Sequence, residues 1–228
     1  MAADSPINPP IDPKDFIRSQ TVLVAPPLTP EIRLHLATEI TPIWKATEET
    51  LARGNIPPPY WAFAWPGGQA LTRYLMDNSD WVRNRRVLDF AAGSGLTAIG
   101  VAKAGAASIE AAEIDAFAIA AIELNAAANN VAVQVIMDDV IGQGVDRDAG
   151  RWDVVLAGDV CYEKPMADRV IAWFRQLAAR GVTILMGDPG RTYLPGNGLV
   201  EVARYRVPTT LELEDRTERE TVVWRLMP

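Results

Sequence analysis

From residue 86 onward, short runs of apolar residues alternate with longer stretches whose apolar positions recur at helical spacing. This alternation is typical of a parallel sheet with helices packed on its faces. It predicts strands at 87–90, 108–114, 133–137, 153–156 and 182–186, with helices at 97–104, 116–129 and 165–180 between them. The chain is therefore predicted to have an α/β fold.

The alternation changes after Asp188, because the apolar runs at 199–207 and 220–226 have no predicted helix between them. We interpret these runs as an antiparallel pair at one end of the sheet. With the five strands above, they make a Rossmann-like, seven-stranded, mostly parallel sheet. This sheet domain is assigned to residues 57–228, and residues 1–56 are assigned to an N-terminal arm and helical extension.

The N-terminal segment is rich in proline up to about residue 28, and proline interrupts helices, so an irregular arm is predicted there. Two helices are predicted to follow. They begin at Thr29 and Thr41, where a hydroxyl suited to the N-cap precedes a proline suited to the first helical turn. The second helix is predicted to end at Gly54, and His35 is expected on the surface of the first.

Composition excludes several classes of function. The chain has 22 Lys and Arg against 29 Asp and Glu, a formal charge of −7, which argues against a nucleic-acid-binding surface. One Cys and one His are too few for a Cys/His zinc site or a disulfide scaffold, so no metal is expected. Without a signal segment or an apolar run of about 18 residues, the protein is expected to be cytoplasmic and not membrane-bound.

A glycine loop follows the strand at 87–90. The pattern Gly93-x-Gly95-x-x-Ala98 ends a strand and begins a helix, and such a loop binds nucleotide-like ligands at the free amides of the helix N-terminus. Glu113 lies 20 residues after Gly93 (113 − 93 = 20), where a ribose-binding acid is expected. Spacing alone does not separate a nicotinamide dinucleotide from S-adenosylmethionine.

Charge favours the methyl donor. Asp89 ends the strand, and no Lys or Arg lies between residues 87 and 102. A pyrophosphate would be repelled by this carboxylate, whereas the ammonium and sulfonium of S-adenosylmethionine would be attracted to it. The alternative for Asp89 is a structural cap on the following turn.

Acidic residues also follow the next two strands. Glu113 is predicted to accept hydrogen bonds from both ribose hydroxyls, with Asp115 as the alternative if the strand register is shifted. Asp139, preferred over Asp138, is predicted to accept the adenine amine. For any one of these acids alone, a helix N-cap after a strand is the better interpretation. Three acids at successive strand ends favour a ligand site, because open α/β sheets bind ligands there.

Four further segments carry a resemblance to a known family. They are PYW at 59–61, WPGGQAL at 65–71, GDVCY at 158–162 and GDPGR at 187–191. Together with the glycine loop they resemble the seven-β-strand methyltransferases, and in particular the electron transfer flavoprotein β-subunit lysine methyltransferases. Ala91 occupies the position where many of these relatives carry a first glycine. The animal members are mitochondrial, and because no presequence is recognised here, the chain is similar to a bacterial member.

The resemblance implies methyl transfer from S-adenosylmethionine to a lysine of the electron transfer flavoprotein β subunit. Asp159 resembles the acid of the family's Asp-x-x-Tyr motif and would orient the substrate amine, while Tyr162 would line the lysine channel. These two are the predicted catalytic residues. The predicted cofactor-binding residues are Trp65, Gly67, Asp89, Ala91, Gly93, Ser94, Gly95, Glu113, Ile114, Asp139 and Gly158.

Other functions remain open from the sequence. One is methyl transfer to a ribosomal or other bacterial protein, or to a small amine. Another is a nucleotide-binding oxidoreductase or a non-catalytic Rossmann-like module. Arg191 is expected to pair with a local acid rather than bind substrate, and Cys161 is expected to be a buried small residue. The acidic stretch at 212–220 is expected to be a solvated edge.

Overall fold

The computed structural model describes residues 12–38, 43, 57–146 and 150–228. Its main sheet has seven strands. They are β3 Arg86–Phe90, β4 Ser108–Glu113, β5 Gln134–Met137, β6 Val154–Gly158, β7 Thr183–Asp188, β8 Leu199–Pro208 and β9 Glu218–Leu226. Their order across the sheet is β5-β4-β3-β6-β7-β9-β8. Strands β3 to β7 are parallel, and β9 runs antiparallel to both β7 and β8. The predicted fold is confirmed.

Helices cover both faces of this sheet. On β6, Val154 and Leu156 pack in one apolar cluster, whereas Val155 and Ala157 pack in another on the opposite face. Successive side chains of a strand point to opposite faces of the sheet, and both faces are covered here, so these parallel strands are apolar at nearly every position. No helix in the described parts of the chain is long and apolar enough to cross a membrane. The helices are α1 Pro13–Gln20, α2 Pro66–Asp77, α3 Leu96–Lys103, α4 Ala116–Ala128, α5 Lys164–Ala179 and α6 Leu211–Glu214.

A small antiparallel hairpin stands where the first N-terminal helix was predicted. It joins β1 Val22–Val24 to β2 Leu34–Leu36, so the helix expected from Thr29 is wrong. Ile32 is buried, as are both ends of β2, and this alternation has the period of a strand rather than of a helix. His35 therefore lies half-buried on β2, with its Nδ1 3.2 Å from the Thr21 hydroxyl oxygen.

The predicted irregular arm contains a helix. Helix α1 begins after Asp12, whose carboxylate accepts a hydrogen bond from the Asp15 amide at 3.0 Å, and Pro13 occupies the first helical position. Asp12 and Pro13 form the same combination of N-cap residue and proline as Thr29 with Pro30 and Thr41 with Pro42, so this helix could have been predicted from the sequence. The second predicted helix, 41–54, lies outside the described residues except for Ile43, which is buried.

Helix α2 was not predicted, because its first turn contains two glycines. Those glycines lie against strand ends: a Cβ on Gly187 would stand 2.0 Å from the Gly67 carbonyl oxygen, and one on Gly158 would stand 2.8 Å from the Gly68 amide nitrogen. No side chain fits at such distances. The N-terminus of α2 therefore packs backbone against backbone on β6 and β7.

Replacing Gly187 tests this contact. Gly187→Ala is expected to lower the free energy of unfolding by at least about 2 kcal/mol, because the added methyl group overlaps the α2 backbone. Urea unfolding measures the change. Gly196→Ala is the control, since a Cβ there meets nothing within 4 Å, and its effect should stay within about 0.5 kcal/mol. Equal effects for the two variants would contradict the described packing.

Candidate active site

The predicted site residues gather at the carboxyl ends of the parallel strands. Strand β3 pairs with β4 on one side and β6 on the other, so the chain order reverses between β3 and β6. Ligands of open α/β sheets bind outside the carboxyl ends of the strands at such a reversal. A cavity of about 660 Å³ lies instead at the amino ends, beside Arg85, Asp153 and Val182, and contains none of the predicted residues.

The glycine loop between β3 and α3 is built on left-handed backbone. Ala91, Gly93 and Gly95 have φ of +52°, +54° and +77°, so only Ala91 carries a side chain in that strained region. The Gly93 amide donates to Glu113 Oε1 at 2.8 Å, which ties the loop to the end of β4. A Cβ on Gly95 would touch Ile122 of α4 at 3.2 Å.

Asp89 supports this loop from inside the protein. Its side chain is 2% exposed, and Oδ2 accepts a hydrogen bond from the Ala98 amide at 2.8 Å. Burial raises the pKa of Asp89 to about 7, while the Ala98 amide opposes that rise. The structure therefore places Asp89 as a cap on α3, the alternative role considered from the sequence. Any influence on a ligand would pass through the loop or through its charge.

Glu113 ends β4 beside the loop. Besides Gly93, it accepts the Ile114 amide at 3.1 Å, and the Asp115 amide also hydrogen-bonds the carboxylate, so backbone amides fix both of its oxygens. Burial raises its pKa and the backbone bonds oppose the shift. Asp115 instead caps α4 by accepting the Phe117 amide at 2.9 Å. Glu113 is therefore the better placed of the two acids for a diol.

Two apolar side chains are exposed at the ends of β4 and β5. Ile114 is 73% exposed and Met137 is 65% exposed, and Met137 pairs with Glu113 across the two strands. Exposed apolar groups beside a carboxylate suit a flat heterocycle joined to a sugar. Ile114 was among the predicted residues. Met137 was missed, because an apolar residue at a strand end is expected from the sequence to be buried.

Asp139 is held by a basic residue. Its Oδ2 pairs with Arg169 at 2.8 Å, its Oδ1 accepts the Ile141 amide at 3.1 Å, and the hydrogen bond from Arg169 lowers its pKa. Neighbouring Asp138 accepts from the Gln143 side chain at 3.2 Å. Both acids lie exposed after β5, where the sequence placed them, but each already has a partner.

Asp159 follows β6 in an unusual conformation, with φ of +56° and only 8% of its surface exposed. Its Oδ2 accepts the Gly68 amide at 3.2 Å, at the positive N-terminus of α2, and its Oδ1 accepts Arg191 Nη2 at 2.7 Å. Burial raises the pKa of Asp159 to about 6, and the charge of Arg191 opposes the rise. Aspartate adopts left-handed backbone more readily than most residues with a side chain, and such conformations cluster at functional sites.

Arg191 joins Asp159 to the C-terminal strand pair. Besides Asp159, it pairs with Glu214 of α6 at 2.5 Å, and Glu214 also accepts Arg219 Nε at 2.9 Å. The expected pairing of Arg191 with local acids is confirmed. The expectation of a solvated acidic edge is wrong for Glu214, which is 6% exposed because two guanidinium groups neutralise it. The short helix α6 between β8 and β9 was also not predicted.

An aromatic wall, formed by Tyr60, Phe63, Trp65 and Tyr162, flanks Asp159. Tyr60 lies with its ring centroid 6.0 Å from that of Trp65 and 5.8 Å from that of Tyr162. The Arg191 guanidinium lies 5.6 Å from the centroid of the Trp65 ring. Tyr60 and Tyr162 are 51% and 45% exposed, so the wall offers open aromatic surface to a ligand.

The remaining predicted residues have mainly structural surroundings. Gly67 and Gly158 lie in the contact between α2 and the strand ends, and Ser94 is buried with its carbonyl bonded to Asn125. Cys161 is fully buried, which raises its pKa to about 12 and agrees with the expected inert thiol. Among the described residues, no three His, Cys, Asp or Glu side chains are grouped to hold a metal ion.

Comparison with known proteins identifies the family. The model of the methyltransferase small domain matches residues 62–157. The electron transfer flavoprotein beta subunit lysine methyltransferase of Xenopus laevis is 35% identical over 222 residues, which are 95% of this chain and 87% of the relative. The Homo sapiens protein of that name is 35% identical over 227 residues, 96% of this chain and 84% of the relative. The chain belongs to the electron transfer flavoprotein β subunit lysine methyltransferase family.

Solved structures agree with the fold of this family member. Magnesium protoporphyrin IX methyltransferase (ChlM) from Synechocystis PCC 6803, solved with bound S-adenosylmethionine, matches 71% of this chain and 78% of its own, with a TM-score of 0.52 and 15% identity. A likeness at that identity shows the fold alone. Membership in the lysine methyltransferase family makes the chain a methyltransferase, so the oxidoreductase and non-catalytic alternatives are wrong.

The buried carboxyl of Asp89 makes a prediction about pH. The pKa of Asp89 is about 7 in the folded protein, above the usual 3.8. At pH values between these two, the folded methyltransferase therefore binds more protons than the unfolded chain, and its free energy of unfolding falls as the pH rises. In Asp89→Asn the Oδ1 oxygen can still accept the Ala98 amide. The free energy of unfolding of the variant, relative to that of the wild type, should therefore rise by at least about 1 kcal/mol between pH 4.5 and pH 8.

Denaturant unfolding at a series of pH values measures this difference. Asp80→Asn is the control, because Asp80 lies exposed in the turn after α2. A parallel pH dependence for the wild type and Asp89→Asn would mean that Asp89 is ionised at low cost in the folded protein.

Proposed function

We propose that this chain transfers methyl groups from S-adenosylmethionine to a lysine of the electron transfer flavoprotein β subunit. One observation carries the proposal: the glycine loop after β3 and the Asp159 site after β6 lie at the ends of neighbouring strands. A donor site and an acceptor site are thereby adjacent. The names of the relatives that match nearly the whole chain support the choice of substrate.

The residues near the loop fit the donor. Glu113 has two carboxylate oxygens, each fixed by a backbone amide, that can accept hydrogen bonds from ribose hydroxyls, and the exposed Ile114 and Met137 suit the faces of adenine. Residues 87–102 carry no Lys or Arg to bind a pyrophosphate. When bound, S-adenosylmethionine supplies an electrophilic methyl group on a positively charged sulfur. A site without basic side chains, and with the carboxyl groups of Asp89 and Glu113 beside the loop, suits this cationic ligand better than a pyrophosphate.

The acceptor side must bind and orient an amine. The exposed rings of Tyr60 and Tyr162 can hold the aliphatic part of a lysine and exclude water around its nitrogen. Asp159 Oδ2 keeps one lone pair beyond its bond to the Gly68 amide, so it can accept a hydrogen bond from that nitrogen. The lysine must attack as a neutral amine, and desolvation against the wall favours that form.

Arg191 sets the position of the Asp159 carboxylate in this scheme. It occupies Oδ1 through Nε and Nη2, at 3.1 and 2.7 Å, which leaves Oδ2 on the side of the Gly68 amide for substrate. The fixed carboxylate thus orients the lysine amine toward the methyl group, and orienting the reactants is the main contribution that a protein makes to a displacement at carbon.

Asp159→Asn tests the assignment of the acceptor site. The rate of methyl transfer at saturating donor should fall about 100-fold or more, because the amide cannot orient a charged or polarised amine as the carboxylate does. The affinity for S-adenosylmethionine, measured by calorimetry, should change less than about threefold. Asp168→Asn, in an exposed ion pair of α5, is the matched control and should keep full activity. Equal loss of donor binding and transfer would make Asp159 a donor residue.

The substrate is tested by incubating the purified chain with methyl-labelled S-adenosylmethionine and the electron transfer flavoprotein β subunit, and in parallel with a bacterial extract. Label on lysine of the β subunit is the expected result, located by peptide mass mapping. Label confined to another protein or to a small amine would keep the chemistry and replace the substrate. Absence of both label and donor binding would overturn the proposal.

A further inference from the structure

One buried side chain connects the N-terminal hairpin to the glycine loop. Asn125 of α4 is fully buried, its Nδ2 donates to the Ser94 carbonyl at 2.8 Å, and its Oδ1 accepts the His35 amide of β2 at 2.8 Å. The two partners lie 31 and 90 residues away along the chain.

The Ser94 carbonyl belongs to the central peptide of the loop. Its neighbours Gly93 and Gly95 both have left-handed backbone, and the amide of this same peptide, on Gly95, donates to the Ala92 carbonyl at 2.8 Å. The bond from Asn125 holds the other side of the peptide plane. Because Ser94 is buried, its carbonyl would have no solvent to replace Asn125.

The hairpin also determines which way the Asn125 amide faces. A carboxamide can rotate by half a turn and exchange its oxygen and nitrogen, and only its hydrogen-bond partners decide between the two orientations. The His35 amide is a donor, so it requires the oxygen on the hairpin side. The nitrogen is thereby directed to Ser94, where an oxygen would be repelled by the carbonyl.

Asn129, the residue that follows α4, provides an internal comparison. Its Oδ1 accepts the Arg33 amide at 3.0 Å and its Nδ2 donates to the Arg33 carbonyl at 2.6 Å, so it binds the residue that precedes β2 in the same hairpin. Its other side-chain hydrogen bond goes to the Asn125 carbonyl, not to the glycine loop. The two asparagines therefore share the hairpin and differ in the loop contact.

We propose that Asn125 is a positioning residue for the methyl donor, through which the N-terminal hairpin holds the glycine loop in its binding conformation. The inference rests on the proposed function, because it requires the loop to bind S-adenosylmethionine. Loss of the Asn125 bond weakens the affinity for the donor and leaves the transfer step, at Asp159 on the next strand, nearly unchanged.

Asn125→Asp and Asn129→Asp test the proposal as a matched pair. Each keeps the oxygen that accepts a backbone amide of the hairpin, from His35 or from Arg33, and replaces the donating nitrogen by an oxygen, so both variants lose unfolding free energy by the same kind of change. We expect Asn125→Asp to raise the dissociation constant of S-adenosylhomocysteine about tenfold or more, and Asn129→Asp to change it less than about threefold. Titration calorimetry measures the affinities and urea unfolding the stabilities.

Kinetics separate positioning from a general loss of structure. With the electron transfer flavoprotein β subunit as acceptor, Asn125→Asp should raise the KM for S-adenosylmethionine and leave kcat within about threefold. If the charged variants do not fold, Asn125→Ala and Asn129→Ala make the same comparison without a buried charge. Equal changes in affinity for the pair, or none for Asn125, would overturn the inference. A wild-type chain that binds no donor would overturn the proposed function and this inference with it.

Discussion

The geometry of the site depends on a contact in which no side chains take part. Gly67 at the start of α2 lies directly on Gly187 of β7, and Gly158 of β6 lies against the neighbouring residue Gly68. This approach brings the Gly68 amide to Asp159 and places Trp65 above Arg191. The aromatic wall and the acceptor carboxylate are adjacent because Gly67, Gly158 and Gly187 have no Cβ atom. Glycine at these three positions permits close approach of the backbones rather than an unusual conformation, since none of them has a positive φ.

The acceptor side combines three buried carboxyl groups with two guanidinium groups, Arg191 at the centre and Arg219 against Glu214. Arg191 pairs with Asp159 and Glu214, while Asp188 accepts the Gly190 and Arg191 amides through one oxygen, at 2.7 Å each. Burial raises the pKa of Asp159 and of Asp188, and Arg191 opposes both shifts. The other oxygen of Asp188 is buried without a hydrogen-bond partner among the described residues. An excess of negative charge at this edge suits a cationic donor and an amine.

The parts of the structure that were predicted correctly rest on local patterns. Period-two and helical apolar spacing located the sheet and its helices, and the glycine spacing located the loop that Glu113 holds by the Gly93 amide. Strand ends could be read in sequence order because all parallel strands present the same edge. Asp159 and Tyr162 were predicted as site residues from the segments that resemble the family, because the apolar pattern alone does not select them.

Several of the errors share a physical cause, because the structure of the segment depends on a partner that is distant in the chain. The segment after Thr29 is a strand because β1 pairs with it, although its threonine and proline suit a helix cap. Glu214 is buried because Arg191 meets it, and Gly67 tolerates a helix because Gly187 leaves room for it. Asn125 reads as one polar residue in an alanine-rich helix. Its two partners become visible only in three dimensions.

The central claim is that the carboxyl edge between β3 and β6 binds the methyl donor beside Asp159. A crystal structure of the wild-type chain with S-adenosylhomocysteine tests it most directly. We expect the ribose at the Glu113 carboxylate, adenine between Ile114 and Met137, and the sulfur on the side of the glycine loop that faces Asp159. Ligand bound anywhere else, for example in the cavity beside Arg85 and Asp153 at the amino ends of the strands, would contradict it.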